Sequence, residues 1–345
     1  MTTPLAGYEL ITEAIAVNAE KSLSQPHFSS IEARALTRLP ELRRLQLGLG
    51  GTPLVPVAAG RGRVWLKVEG TNTTGTVKAR TAYALLCNAV AACEGDPAGL
   101  RLVEYTGGGM GLALAEYCAE LGLDLHLVFP HGSAVSGHER ARSLGADVTV
   151  AAPGSGFLGA MEAAARIAEA EDRTFLLQHC APVAAAMHEE RTGAEIARGL
   201  AAAGAAPTAV VAACGTGGTL LGVTRALRPA WPDVKPVAVF PAEAPYGDEA
   251  PPTPAKRMGG TGGLGYGIRQ PLLIGDDHEI DFRVVPYPQS LAAMTELRRQ
   301  TDLAACSSGA AAWLVAAELA ARRGGDVVAV VAARGTVEEW DDAHA

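Results

Sequence analysis

Short apolar runs alternate along this chain with longer segments whose apolar residues recur at helical spacing, which predicts strand and helix in repeated succession. Val64 to Val68 reads as a strand, and the run from Ala79 to Val90, extending over Thr81 to Ala92, as a helix. Leu102 to Tyr105 is a strand, followed by a glycine cluster and the helix Leu112 to Leu121. Then come the strand Leu125 to Phe129, the helix His138 to Leu144 and the strand Asp147 to Val150. The helix Gly159 to Ala170 leads to the strand Thr174 to Gln178. Further on, the helix Thr192 to Ala203 precedes the strand Thr208 to Ala213, and the helix Thr219 to Leu227 precedes the strand Pro236 to Phe240. The helix Gly309 to Arg322 leads into the strand Asp326 to Ala332. Such alternation builds βαβ units and mostly parallel sheets covered on both faces, so the expected fold class is α/β.

Two stretches break the pattern. Residues 1 to 48 read as helical but precede the first strand, so an arm lying over the body or over a second subunit is expected. Residues 242 to 275 are rich in proline and glycine and read as a long loop, of the kind that is often functional. No internal repeat is present, and Glu338 to Ala345 reads as a solvated acidic tail.

A length of 345 residues allows two domains sharing a cleft. Hydrophobic residues at 48% and charged residues at 19% are a globular balance. The net charge of −8, the absence of a basic stripe and 5% aromatic content give no support to nucleic-acid binding. No apolar run is long enough for a membrane span, and Met1 to Glu20 lacks a basic region followed by an apolar core, so a cytoplasmic protein is expected. Cys87, Cys93, Cys118, Cys180, Cys214 and Cys306 form no CxxC pair and read as free thiols, with no metal site expected.

Lysine is scarce: besides Lys78 there are Lys21, Lys67, Lys235 and Lys256. Lys78 closes the loop Asn72-Thr73-Thr74-Gly75-Thr76-Val77 and opens the helix behind it. In a first helical turn the positive end of the dipole disfavours an ammonium charge, which suits Schiff-base chemistry. A solvated surface lysine is the alternative. The apolar strand ending at Cys214 runs into Gly215-Thr216-Gly217-Gly218-Thr219 and then a helix. Unpaired amides at that helix end, with glycine allowing close approach, make an anion cradle; a plain tight turn is the alternative. No lysine follows these glycines, and their spacing is not that of a dinucleotide fold, so a single phosphate monoester fits better. Pyridoxal phosphate offers both an aldehyde for a lysine and a phosphate for such a loop.

With these residues in order, the chain resembles the fold-type II pyridoxal-phosphate enzymes, in particular the cysteine synthase and cystathionine β-synthase group. The resemblance runs from about Gly50 to Trp340. Gly51-Thr52-Pro53-Leu54 is similar to the family's entry segment, and Asn72 to Arg80 to its lysine motif, with Ala79 where Asp is usual. Thr106 to Gly111 stands at the loop that grips the substrate carboxylate. Arg191 to Ile196 resembles its TTGPEI stretch, Gly215 to Thr219 its phosphate loop, and Cys306 to Ala310 its SSGA segment. The resemblance implies two domains with mostly parallel twisted sheets flanked by helices and the cofactor in the cleft, a tryptophan synthase β-like fold. It places a larger cofactor domain at 49–71 plus 182–345, a smaller mobile domain at 72–181 and the helical arm at 1–48. A homodimer is usual in the family.

The resemblance also implies roles. Lys78 would hold pyridoxal 5'-phosphate as a Schiff base and carry the α-proton. Gly215, Thr216, Gly217, Gly218 and Thr219 would bind the phosphate. Ser307 would hydrogen-bond the pyridine nitrogen, and a neutral hydroxyl there would leave that nitrogen largely unprotonated; a simple helix N-cap is the alternative. Thr106, Gly107, Gly108 and Met110 would bind substrate, and Gly109 stands where an asparagine usually faces the cofactor's phenolic oxygen. Two hydroxyl donors have become Gly107 and Met110, which implies a larger, less polar pocket. His179, in Gln178-His179-Cys180, stands for a lost polar contact, an acid or base, or a packed histidine. Tyr266 and Arg269 lie where the active-site mouth would be, in a contact or a structural role.

The expected activity is β-replacement on a serine- or cysteine-derived amino acid through an aminoacrylate, with a small nucleophile as second substrate, in a specialised pathway. Net β-elimination is the close alternative. A homologue that keeps the fold without catalysis is the alternative from another class.

Overall fold

The computed structural model describes residues 27–178, 180–246, 256–260 and 270–345. Two compact units result. One holds Lys78–Ala186 together with the residues up to Leu49, and the other holds Gly50–Val77 and Met187–Ala345.

The first unit is built on a parallel four-stranded sheet in the order β5-β4-β3-β6. Its strands are β3 (Arg101–Tyr105), β4 (Asp124–Phe129), β5 (Asp147–Val150) and β6 (Thr174–Phe175). Residues Leu102, Val103, Leu125, Leu127 and Val128 are buried, as expected of parallel strands covered on both faces. β6 stops at Phe175, short of the expected Gln178, because Leu177 takes a left-handed φ of 54° that a ladder does not accommodate. The helix Lys78–Ala92 buries most of its surface. The N-terminal helices Phe28–Arg38 and Leu42–Leu47 cover it. There Phe28 meets Tyr83 edge to face at 6.2 Å, and the Tyr83 hydroxyl donates to Glu32 Oε1 at 3.1 Å. The described part of the N-terminal stretch therefore lies over the body of its own unit.

The second unit carries a six-stranded sheet in the order β1-β2-β10-β7-β8-β9, parallel except for the β1–β2 pair. The strands are β1 (Leu54–Ala59), β2 (Gly62–Val68), β7 (Pro207–Ala213), β8 (Lys235–Pro241), β9 (Asp281–Val285) and β10 (Gly325–Val331). β1 escapes the periodicity argument because Pro56 interrupts it, and an edge strand is where proline is tolerated. The helices Tyr287–Thr301 and Ser307–Arg323 bury Met294, Leu297, Ala312 and Ala316 against Val64, Val211 and Val327 of the sheet.

One expectation changes here. Glu338 to Ala345 is not a loose tail: Val337–His344 forms a helix, closed by a capping box in which Thr336 and Glu339 satisfy each other's backbone amides. The proline- and glycine-rich stretch 242–275 falls partly outside the described residues, including Tyr266 and Arg269. No helix among the described residues is long and apolar enough to cross a membrane.

Candidate active site

In parallel sheets, side chains and amides available for chemistry gather at the carboxyl ends of strands. In the second unit the end of β10 acts as a hub. The Ala332 carbonyl accepts the Val77 amide at 2.7 Å, Thr76 bridges to Ala333, and the Ala333 carbonyl accepts the Cys306 amide at 2.9 Å. The loop leading to Lys78 and the segment leading to Ser307 are thus anchored one residue apart. Lys78 itself is the first residue of the helix Lys78–Ala92, in the first unit.

The front of that loop is braced by a polar network. Asn72 Nδ2 donates to the Glu69 carbonyl at 2.9 Å and to Glu69 Oε2 at 2.7 Å, and Glu69 Oε1 accepts from Thr52 Oγ1 at 2.6 Å. Lys67 Nζ donates to the Thr52 carbonyl at 2.7 Å and to Glu195 Oε2 at 2.6 Å. The Lys67 side chain is 1% exposed and Glu195 16%, so this pair is largely desolvated. It joins Gly51-Thr52 to the helix Ala194–Ala202, two segments that the sequence shows only as separate motifs.

The turn after β7 has the form of an anion cradle. Gly217 takes φ +87° as the residue before the helix Gly218–Leu227, and a Cβ there would lie 2.3 Å from Leu273 Cδ2. Glycine is required on both counts. The Gly218 amide donates to Thr216 Oγ1 at 3.3 Å. The amides of Gly215, Thr216, Gly217 and Thr219 have no partner among the described residues. Behind the cradle, Thr219 Oγ1 and His188 Nε2 are 3.1 Å apart, and His188 Nδ1 is 2.9 Å from Thr192 Oγ1. His188 is fully buried at the start of a π-helical segment, His188–Gly193, whose wider turn packs on the cradle's helix.

Ser307 is not the N-cap of its helix. Cys306 takes that place, with Sγ accepting the Gly309 amide at 3.3 Å, and Ser307 is the first helical residue, fully buried. Its amide donates to Glu339 Oε1 at 3.2 Å, and its hydroxyl donates to the same oxygen. Glu339 is a partner that sequence reading misses, because it lies 32 residues on in what reads as a tail. The Thr336-Val337-Glu338-Glu339 capping signature could have revealed the helix, though not its neighbour.

In the first unit, the loop after β3 is organised by Thr106. Its Oγ1 accepts the amides of Gly108 at 3.2 Å and Gly111 at 2.9 Å, and it is buried. The amides of Gly107, Gly109 and Met110 have no partner among the described residues and stand at the start of the helix Gly109–Leu121, an arrangement suited to a carboxylate. The space beside Gly107 is not empty: a Cβ there would lie 2.8 Å from Phe157 Cζ. At Gly107 an aromatic ring therefore stands where an added side chain would go.

Beneath the loop, Glu104 is fully buried and burial pushes its carboxyl up to about 8. Its Oε1 accepts the Tyr105 amide at 2.9 Å and its Oε2 the Gln178 amide at 3.1 Å, while Gln178 Nε2 donates to the Tyr105 carbonyl. Glu104 and Gln178 thus clamp the end of β3. Cys180 is buried, and burial pushes its thiol up to about 12, which makes it an inert packing group at neutral pH. His179 lies outside the described residues.

Residues 45–333 match the pyridoxal-phosphate-dependent enzyme family. The chain belongs to that family. Cysteine synthase A of Salmonella typhi is 32% identical over 279 residues, covering 77% of this chain and 83% of that protein. A probable cysteine synthase of Bacillus subtilis is 27% identical over 297 residues, covering 85% and 94%. Among solved structures, O-ureido-L-serine synthase aligns with a TM-score of 0.75 at 25% identity, over 86% of this chain and 92% of the other. As a pyridoxal-phosphate-dependent enzyme the chain takes pyridoxal 5'-phosphate, and the residues present fit it. Four amides at a helix start without partners among the described residues suit a phosphate, and the glycines that form the turn leave no Cβ in the way.

Proposed function

We propose that this chain performs β-replacement on a serine- or cysteine-derived amino acid, with Lys78 as the residue that joins the cofactor and moves the α-proton. The observation that carries the reading is the Thr106 loop, whose amides at Gly107, Gly109 and Met110 stand ready for an amino-acid carboxylate. The likeness to cysteine synthases and to O-ureido-L-serine synthase supports a serine-derived donor and a small nucleophile. When bound, the cofactor supplies an electron sink that labilises the α-proton and the β-substituent.

The chain's own residues do the rest. Amides of Gly215, Thr216, Gly217 and Thr219 bind the phosphate, with Gly218 and the Thr216 hydroxyl shaping the turn. His188 and Thr192 hold the Thr219 side chain in place. Lys78 Nζ takes the proton from Cα and returns it to product. Met110 and the glycines around it present no side-chain hydroxyl to the donor, which favours a substrate other than O-acetylserine and a specialised pathway.

Borohydride reduction of the holoenzyme followed by peptide mass spectrometry should find the cofactor mass on the Lys78 peptide, and on none in Lys78→Ala. Product analysis over a panel of O-substituted serines with and without added nucleophile then tests the reaction. A 2-oxo acid formed at full rate without nucleophile would make the enzyme a β-eliminating one and overturn the replacement reading.

A further inference from the structure

We propose that the groove across the amino ends of β7, β8 and β9 is a second binding site, fit for a small dicarboxylate held between Lys235 and Arg323. The cradle after β7 stands at the opposite, carboxyl ends of these strands. The helix Gly218–Leu227 starts at that cradle and ends beside Arg228 in the groove, and its 10 residues span about 15 Å. The inference is therefore independent of the reaction proposed above.

A cavity of about 610 Å³ is lined by Arg228, Lys235, His278, Glu279 and Asp281, among others. A second, of about 210 Å³, shares Lys235, Glu279 and Asp281 with it, so the two form one groove. The smaller cavity also takes in Ala209, Val237, Leu319 and Arg323. Register sets Lys235 beside Ala209 and Val237 beside Asp281, and residues two apart on a strand share a face. That face is the one the helix Ser307–Arg323 covers.

Three cations (Arg228, Lys235 and Arg323) and two carboxylates (Glu279 and Asp281) line the groove. Both carboxylates already have partners. Arg228 Nη2 meets Glu279 Oε2 at 2.6 Å, and Arg283 Nη2, from outside the lining, meets Asp281 Oδ2 at 2.8 Å. Arg225 pairs with Asp276 at 2.9 Å, so the segment carrying Glu279 is tied twice to the end of the helix Gly218–Leu227. Arg228, and after it His278 and Lys235, hold the Glu279 carboxyl below its ordinary value. Lys235 thus acts on the groove through its field, yet neither it nor Arg323 has a hydrogen bond or ion pair among the described residues. Two positive charges are left over.

Two free cations in one groove call for two negative charges. Lys235 lines both cavities and Arg323 only the smaller, so the charges wanted are set apart. Ala209, Val237 and Leu319 lie in the same cavity as these cations and offer apolar contact to a short carbon chain. A dicarboxylate with a few methylenes supplies both features. Its carboxylate also matches the planar fork of Arg323, whereas inorganic phosphate brings charge without carbon.

Isothermal titration calorimetry of the holoenzyme at low ionic strength tests this, with glutarate as probe and butyrate and inorganic phosphate as comparisons. One saturable glutarate site is expected. Butyrate, which gives up one ion pair, should bind roughly fivefold more weakly, and phosphate, which gives up the apolar contact, weaker by a similar factor. Lys235→Ala and Arg323→Ala should each weaken glutarate about fivefold, and together about twenty-fivefold, as independent and partly exposed ion pairs do. Neither residue belongs to the cofactor machinery, so the cofactor absorbance spectrum of both variants should match the wild type. No saturable binding at millimolar glutarate overturns the site. Binding that both variants leave untouched also overturns it, and points instead to the carboxylate loop at Thr106. Phosphate bound as tightly as glutarate overturns the assignment to a dicarboxylate.

Discussion

The amide of Val77 donates to the carbonyl of Ala332 at 2.7 Å, which fixes the residue before Lys78 to the chain leaving β10. Because the Cys306 amide is held by Ala333 in the same way, neighbouring residues after β10 register the lysine loop and the Ser307 segment. Val77→Pro removes the donor and restricts Thr76, whose bridge to Ala333 it would disturb. The loss of one buried hydrogen bond is worth about 1 kcal/mol. The variant should unfold at a somewhat lower temperature while its attachment of cofactor, measured by absorbance titration, weakens out of proportion to that loss. Equal binding in the two proteins would show that the loop is positioned by other contacts.

Lys67 and Glu195 form the other brace of this loop. Glu195→Gln leaves the buried ammonium short of its countercharge, and removing one partner of a buried pair costs about 3–5 kcal/mol. Lys67→Met together with Glu195→Gln should recover part of that stability, because neither member of this pair is then left as a charge facing a missing partner. Chemical denaturation of the wild type, both single variants and the double variant measures the coupling. Additive losses would mean that the two charges do not depend on each other.

Much of this architecture is legible from the chain. Apolar runs rich in β-branched residues, such as Val210-Val211-Ala212, read as buried parallel strands, and their glycine-rich exits mark where ligands approach. β1 is hidden by Pro56, and β6 is cut short by the left-handed turn at Leu177, which no periodicity reveals. In the site, Gly215 to Thr219 and Lys78 stand out because their chemistry needs local sequence. Glu339, Phe157 and His188 do not, because each acts on a motif distant in sequence through tertiary packing, and Glu104 gains its role only through the Gln178 amide, 74 residues on. An acidic residue near the end of the chain reads as solvated until its hydrogen bond to Ser307 is seen.

Gly217→Ala tests the phosphate cradle. A Cβ at φ +87° is strained, and it would meet Leu273 at 2.3 Å, so the turn must open. We expect a destabilisation of about 1–3 kcal/mol and at least a roughly tenfold weaker hold on pyridoxal phosphate, about 1.4 kcal/mol of binding energy. Equilibrium dialysis of the refolded apoenzyme measures it. Unchanged affinity would remove the turn from the phosphate site.

Glu104 should make stability depend on pH. Its carboxyl titrates at about 8 when folded, against an ordinary value of 4.5, so between these values the folded chain holds a proton that the unfolded chain has lost. Stability from this group therefore falls as pH rises through that window. Glu104→Gln sets an amide nitrogen against the Tyr105 or Gln178 amide, which costs about 1–3 kcal/mol at the acidic end, and it abolishes the slope. Melting temperatures of the two proteins should approach each other as pH rises from the acidic end and then cross, because the shift removes more stability across the window than the substitution costs. Parallel curves would show that Glu104 is ionised throughout.

Gly107 and Phe157 together set the room beside the carboxylate loop. Gly107→Ser restores the hydroxyl that related loops carry, but its Cβ would lie 2.8 Å from Phe157 Cζ and 3.1 Å from Cε2. The ring also packs edge to face on Tyr105 at 6.3 Å, so it is not free to swing away without losing that contact. The single variant should therefore lose kcat/KM by roughly a hundredfold, about 2.7 kcal/mol in transition-state terms, as the loop is forced off its carboxylate geometry. Phe157→Ala alone opens space and should raise KM for the native donor with a smaller change in kcat. The double variant Gly107→Ser with Phe157→Ala has room for the hydroxyl, and it should regain most of the lost activity while shifting preference toward O-acetylserine. If Phe157→Ala fails to rescue Gly107→Ser while both proteins fold, the ring is not what excludes a side chain at 107, and the less polar loop must owe its glycine to the substrate itself.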